Sequence, residues 1–172
     1  RDNFWIILPE KKLLMNNNDT RELNKIKIDK VVLNRKYSLN FRDKFLGFGW
    51  SHNHNKKGVW SEGSNSYLLL NSSNIKKDDL EMSLSLAPYK GNNRKDFKVK
   101  IFVNNKLNKT INLNSEKNIT KTKIKFKNDK QNNEIKIHLE FSGLISPYDI
   151  FESPDARQLG VLLTSFNVKE KI

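Results

Sequence analysis

Apolar and polar residues alternate with period two along most of the chain. Phe97, Val99, Ile101 and Val103 are interleaved with Lys98, Lys100 and Phe102, so the first four share one face of a strand. Ile135, Ile137, Leu139 and Phe141 alternate in the same way with Glu134, Lys136, His138 and Glu140, and Leu80, Met82, Leu84 and Leu86 with Glu81, Ser83 and Ser85. Ile124 and Phe126 stand between Lys121, Lys123, Lys125 and Lys127, and Ile26 and Ile28 between Lys25, Lys27 and Asp29. Further strands are predicted over 37–41, 66–71, 106–114 and 159–168. No run sustains three turns of helical periodicity. Residues 15–23 suit a turn or two at most, with Asp19 or Thr20 as cap and Glu22 following.

Turn-forming residues separate these runs: Asn71-Ser72-Ser73-Asn74, Lys90-Gly91-Asn92-Asn93, Asn104-Asn105 and the segment 128–133. Asn104-Asn105 between two alternating runs predicts a tight hairpin, because asparagine tolerates the positive φ that such turns require. Nine or ten short strands with one dry and one wet face per sheet predict an all-β, antiparallel β-sandwich. The 172 residues suit one domain, with N-terminal strands and a loop over 1–44 ahead of the main body at 45–168. No internal repeat and no domain boundary stands out.

Composition changes this picture in three places. The chain has no cysteine, which excludes a disulfide framework, thiol catalysis and thiolate-bound zinc. Its longest apolar runs, such as Leu68-Leu69-Leu70, are too short to span a bilayer. No signal peptide is evident, and a chain opening at Arg1 without Met reads as an excised or processed piece. The net charge of +13 invites a nucleic-acid reading. Against it, 26 of the 32 basic residues are Lys and 24 residues are Asn, a bias that an A+T-rich genome produces without selection for binding. Residues 88–141 hold 14 basic and 5 acidic side chains, so most of the excess sits there. Lys121, Lys123, Lys125 and Lys127 form a comb of ammonium groups about 6.5–7 Å apart on one strand face. It lacks the interleaved aromatic rings of single-strand nucleic-acid platforms. The comb reads either as a tether to acidic glycan or anionic lipid, or as a solvated face that discourages sheet aggregation.

The stretch from Gly47 to Gly63 holds two of the three tryptophans, two of the three histidines and four of the seven glycines. A tryptophan ring can stack on the C–H face of a pyranose while polar neighbours bind hydroxyls. Trp50 and Trp60 are therefore candidate stacking rings, with His52, His54, Asn55 and Glu62 as polar partners; the structural alternative makes both rings core anchors. His52 and His54 would share a strand face, but a third metal ligand is not evident. No cofactor or metal is expected. His138 reads as a solvated strand histidine. There is no Gly-x-Ser-x-Gly elbow, no His-Glu-x-x-His and no phosphate loop, and the acids Glu62, Asp149, Glu152 and Asp155 do not single out a glycosidase pair. The chain is expected to be non-catalytic. Asp155 and Arg157 are placed to form a structural charge-assisted pair where the segment after Ser146-Pro147 enters the last strand.

Gly49-Trp50-Ser51, the run Gly58-Val59-Trp60-Ser61-Glu62-Gly63, Ser146-Pro147 and the run Asp155-Ala156-Arg157-Gln158-Leu159-Gly160-Val161 together resemble a bacterial pattern. It is that of β-sandwich accessory domains attached to glycosyltransferases and phosphoglycerol-transferase-like proteins of cell-surface polysaccharide synthesis. The resemblance covers about residues 45–168. The family's Glu after the first Trp has no counterpart, His54 or a neighbour standing in its place. The resemblance implies a jelly-roll-like, carbohydrate-binding-module-like fold, with catalysis in another domain of the parent transferase. It also implies a capsule or lipopolysaccharide context. The partners would be a surface glycan or its lipid-linked precursor, the catalytic domain of the same protein and an anionic membrane surface, but no nucleic acid. The expected location is cytoplasmic at the membrane periphery, with the periplasm as alternative.

Overall fold

The computed structural model describes residues 28–40, 42–52, 56–89, 97–113 and 119–171. The expected helical turn at 15–23, Ile26, His54, Asn55 and the turn at 90–93 lie outside them. Nine strands run in order: β1 (Lys36–Ser38), β2 (Val59–Glu62), β3 (Asn65–Asn71), β4 (Asp79–Pro88), β5 (Lys98–Val103), β6 (Lys106–Asn112), β7 (Thr120–Lys127), β8 (Glu134–Ser142) and β9 (Leu159–Glu170). No helix occurs among the described residues.

The pairing is nested. β5 pairs with β6, β4 with β7, β3 with β8, and both β1 and β2 with β9, every pair antiparallel. The chain is thus one long hairpin folded about the β5–β6 turn. β4 also pairs with β9 and β5 with β8, which rolls the hairpin into two sheets. One has the order β1-β9-β4-β7 with β2 beside β9; the other is β3-β8-β5-β6. This is a jelly roll whose first strand is split, β1 against Ser165 to Asn167 and β2 against Leu159 to Leu163.

Local chemistry explains the elements. Asn104 and Asn105 have φ of 47° and 69°, the left-handed pair that a two-residue hairpin turn needs. The alternation read from the sequence sends Leu80, Met82, Leu84, Leu86, Ile124, Phe166 and Val168 inward from one sheet, and Leu68, Val99, Ile101, Ile135, Ile137 and Leu139 from the other. Each such side chain contributes about 1.5–3 kcal/mol by leaving water. β2 was not expected, because four residues between Gly58 and Gly63 read as loop. Ile28 and Asp29 carry no strand; only Lys30 bridges to Asn71.

Both seams of the sandwich are closed. On one side, Asn108 Nδ2 and Lys109 Nζ of β6 donate to the carbonyls of Lys125 and Lys123 on β7. On the other, the segment between β1 and β2 runs up the edge of β3 and then joins β2. Leu69 N donates to Phe45 O, Gly47 N to Tyr67 O, Tyr67 N to Phe48 O, Glu62 N to Gly49 O and Ser51 N to Trp60 O. Gly49, at φ 85°, passes so close to β3 that a Cβ would lie 1.8 Å from Asn65 O.

Candidate ligand-binding site

The Gly-Trp-Ser and Asp-x-Arg motifs, distant in sequence, meet at one junction. Ser51 Oγ accepts a hydrogen bond from an Arg157 guanidinium N–H. Asp155 Oδ1 accepts from Arg157 N at 3.0 Å and Nε at 2.9 Å, and the pair also forms a salt bridge of 2.5 Å. The guanidinium hydrogen bonds hold the Asp155 carboxyl below its ordinary pKa. Asp155 and, more weakly, the charge of Glu62 raise that of Arg157. One step inward, Ser61 Oγ accepts from Val161 N at 2.8 Å, and a Cβ on Gly160 would press on that oxygen at 2.7 Å. The motif residues at this junction therefore fasten β2 and the closing segment to the start of β9.

Trp50 is part of the same fastening. It is 6% exposed, packs in the core and donates its indole N–H to Tyr67 O at 2.7 Å. It has no face to offer a sugar, which corrects the expectation that Trp50 is a stacking ring: the closing segment must plug the seam, and Trp50 is the plug. Trp60 points to the opposite, outer side of β2. It is half-buried and meets Tyr89 edge to face, with ring centroids 5.8 Å apart at 85°. His52 and Glu62 are exposed nearby in sequence.

Beside Tyr89 stands the loop 146–157, which sequence reasoning assigned only a connecting role. Tyr89 donates its hydroxyl to Glu152 Oε2. Burial and that carboxylate push the phenol up to about 12, so it remains a neutral donor at any physiological pH. The loop braces itself. Asp149 N donates to Ser146 Oγ at 3.1 Å, Tyr148 N to Asp155 O at 2.9 Å, Phe151 N to Tyr148 O at 3.1 Å and Glu152 N to Pro147 O at 3.0 Å. At its tip Phe151 is 97% exposed in the left-handed region at φ 59°, and Tyr148 is 62% exposed. An open cleft of about 300 Å³ is lined by Tyr148, Phe151, Glu152, Ser153 and Pro154. Neither aromatic follows a strand period, so the only sequence signal was their place between two Ser-Pro steps. A bulky residue held at positive φ costs on the order of 1–3 kcal/mol and points to a demand other than stability.

A second aromatic group lies on the outer face of the other sheet. Tyr67, His138 and Phe102 occupy one row across β3, β8 and β5. Tyr67 and His138 stack at 4.4 Å and 10°, and Phe102 and His138 at 5.0 Å and 19°. His138 Nε2 meets Asn65 Oδ1 at 2.7 Å. The histidine expected to be solvated is instead half-buried between two rings. Burial lowers its pKa, the charge of Glu140 opposing and that of Lys136 assisting. Because both faces of its imidazole are covered, this ladder presents ring edges rather than a flat platform.

No protein-family model matches the chain, and no characterised protein matches it in sequence. Among solved structures it is similar to a family GH115 4-O-methyl-α-glucuronidase, BtGH115A, with specificity for decorated arabinogalactans: 10% identity, TM-score 0.45, 81% of this chain against 17% of that one. It is similar to the xylan-binding module CBM15 at 9% identity and TM-score 0.44, covering 80% of this chain and 99% of that module. It is also similar to a carbohydrate-binding module of Cellvibrio mixtus lichenase 5A, solved with cellotriose, at 6% identity and TM-score 0.37, covering 82% and 100%. At these identities and scores the likeness carries nothing beyond itself.

Proposed function

We propose that this chain is a non-catalytic glycan-binding module whose site is the braced loop 146–157 with Tyr89 and Trp60. The observation that carries the proposal is Phe151, held at positive φ with its ring 97% exposed above a cleft that Tyr148 shares. Two rings on a pre-braced loop give a sugar its stacking surface at little ordering cost. Glu152, Ser153 and the exposed Glu62 and His52 supply polar partners, and His54 and Asn55 remain part of the proposed set on the strength of the sequence. Glu152 and Asp155 are each engaged, by Tyr89 and Arg157, which suits holding shape rather than acid–base chemistry.

The wider setting rests on the family resemblance. The module would serve a glycosyltransferase of capsule or lipopolysaccharide synthesis, beside its catalytic domain and a surface glycan or lipid-linked precursor. It would act at the cytoplasmic side of the membrane, or in the periplasm. A glycan array followed by titration calorimetry tests the site. Phe151→Ala with Tyr148→Ala should weaken binding at least about tenfold, as truncating exposed aromatic anchors does, without changing the near-ultraviolet circular dichroism of the core. Undiminished binding overturns the assignment. Burial of Trp50 favours a second reading, a docking module for the catalytic domain; it predicts that the same variant breaks the domain contact and that no glycan binds.

A further inference from the structure

The outer face of the β1-β9-β4-β7 sheet is built differently from that of the β3-β8-β5-β6 sheet. Register places Ser38, Ser165, Ser85 and Lys121 in one row across the four strands, and Lys36, Asn167, Ser83 and Lys123 in the next. The third row holds Lys169, Glu81 and Lys125, and the fourth begins with Asp79 and Lys127. The two central strands therefore carry a floor of short hydroxyl and amide side chains, with Ser83, Ser85 and Asn167 partly exposed and Ser165 buried among them. Long lysines stand along β7 on one side, and Lys36 faces them across about 14 Å, three strand spacings. At the far end the floor runs into Leu162 and Trp60, beside Tyr89.

The charges are unevenly spent. Lys123 and Lys169 lie 3.3 and 3.4 Å from Glu81 Oε1, and Lys127 lies 2.9 Å from Asp79. Lys121 and Lys125 alternate with the paired lysines along β7 and have no such partner within 4.0 Å among the described residues. If the comb served only to solubilise an edge, lysine on its own would be enough. Here Glu81, 7% exposed on an outward position, draws Lys123 and Lys169 to one carboxylate oxygen, and Lys121 and Lys125 stand outside that pairing.

We propose that this trough binds an acidic polysaccharide, the free ammonium groups of Lys121, Lys125 and Lys36 taking its carboxylates or sulfates and the serine floor its hydroxyls. The chemistry favours a glycan over the other polyanions. These rows present no large apolar side chain to enter a bilayer, and no aromatic ring on which bases would stack. The trough ends where Trp60 and Tyr89 of the proposed loop site begin, and its own lysines and serines take no part in that site.

The test is titration of the protein with polygalacturonate, with neutral xylan and with vesicles of anionic phospholipid. Lys121→Gln with Lys125→Gln keeps both Glu81 ion pairs and so keeps the fold. The expected result is polygalacturonate binding that falls about tenfold between about 50 and about 200 mM salt. In the double variant that binding drops about tenfold and its salt slope flattens, while Phe151→Ala leaves the slope as it was. Equal binding by the double variant, or binding to vesicles with none to polygalacturonate, overturns the proposal. Loss of xylan binding in Phe151→Ala with the polygalacturonate slope intact bears on the loop site alone.

Discussion

The two outer faces of the sandwich start from the same period-two pattern and end as opposites. On the β3-β8-β5-β6 sheet the outward residues of neighbouring strands fall into register as Tyr67, His138 and Phe102, and consume one another's ring faces. On the β1-β9-β4-β7 sheet they fall into register as Ser38, Ser165, Ser85 and Lys121, with Ser165 buried, Ser85 partly exposed and Ser38 and the ammonium group turned outward. What a wet face does is decided across strands. A histidine among lysine and glutamate in sequence becomes the middle of an aromatic stack, and a plain lysine alternation becomes the wall of a trough.

Four outcomes would break or sharpen this contrast. The largest concerns the seam that holds the two sheets in place. Trp50→Ala should lose about 3–5 kcal/mol in urea unfolding, the cost of an emptied aromatic site in a core, and a loss under 1 kcal/mol would mean that both faces survive without the plug. Next, His138→Ala should cost roughly 1–2 kcal/mol by removing two ring contacts, which would make the ladder a stabilising device.

The third separates the faces by pH. The folded pKa of His138 lies below 6.5, so the stability tied to its neutral ring is complete above that value and drains as pH falls through the folded pKa. Burial alone would raise the carboxyl of Glu81, but Lys123 and Lys169 hold it below 4.5, so its contribution is complete above 4.5 and is lost only as pH falls further, through the folded pKa. Thermal melts between pH 6.5 and 4.5 should therefore register the ladder and not the lysine face, and His138→Gln should flatten that slope. The smallest effect is the most telling for the trough: Lys121→Gln with Lys125→Gln should change stability by less than about 0.5 kcal/mol. A larger loss would make those lysines part of the fold.

The inward rows were legible in the chain because burial of one strand face imposes a rule on single residues. Leu80, Met82, Leu84 and Leu86 and the run Ile135 to Phe141 obey it, and the Asn104-Asn105 turn follows from the positive φ that asparagine tolerates. β2 was not, because its four residues are strands only by virtue of pairing with Leu159 to Leu163. The tryptophans illustrate the limit for the site. Trp50 and Trp60 sit in the same glycine-rich stretch, yet one is core and the other faces outward, a difference set by how the segment 45–51 crosses from β3 to β2. Phe151 and Tyr148 carried no period at all. Their exposure follows from hydrogen bonds inside their own loop and from Tyr89, which is 63 residues from Glu152.

Nesting also dictates an order of assembly. Among the described strands the β5–β6 hairpin is the one pair that a short turn can close; each further pair, β4 with β7 and then β3 with β8, must bring together segments separated by everything already folded. β9 completes the last of them and serves β1, β2 and β4 at once. During synthesis the serine floor and the Trp50 seam therefore have to wait for β9 to leave the ribosome, with β4 and its row of leucines unpaired on that side in the meantime. Over that interval the chain is most exposed to aggregation, and a slow final folding step is its natural kinetic signature.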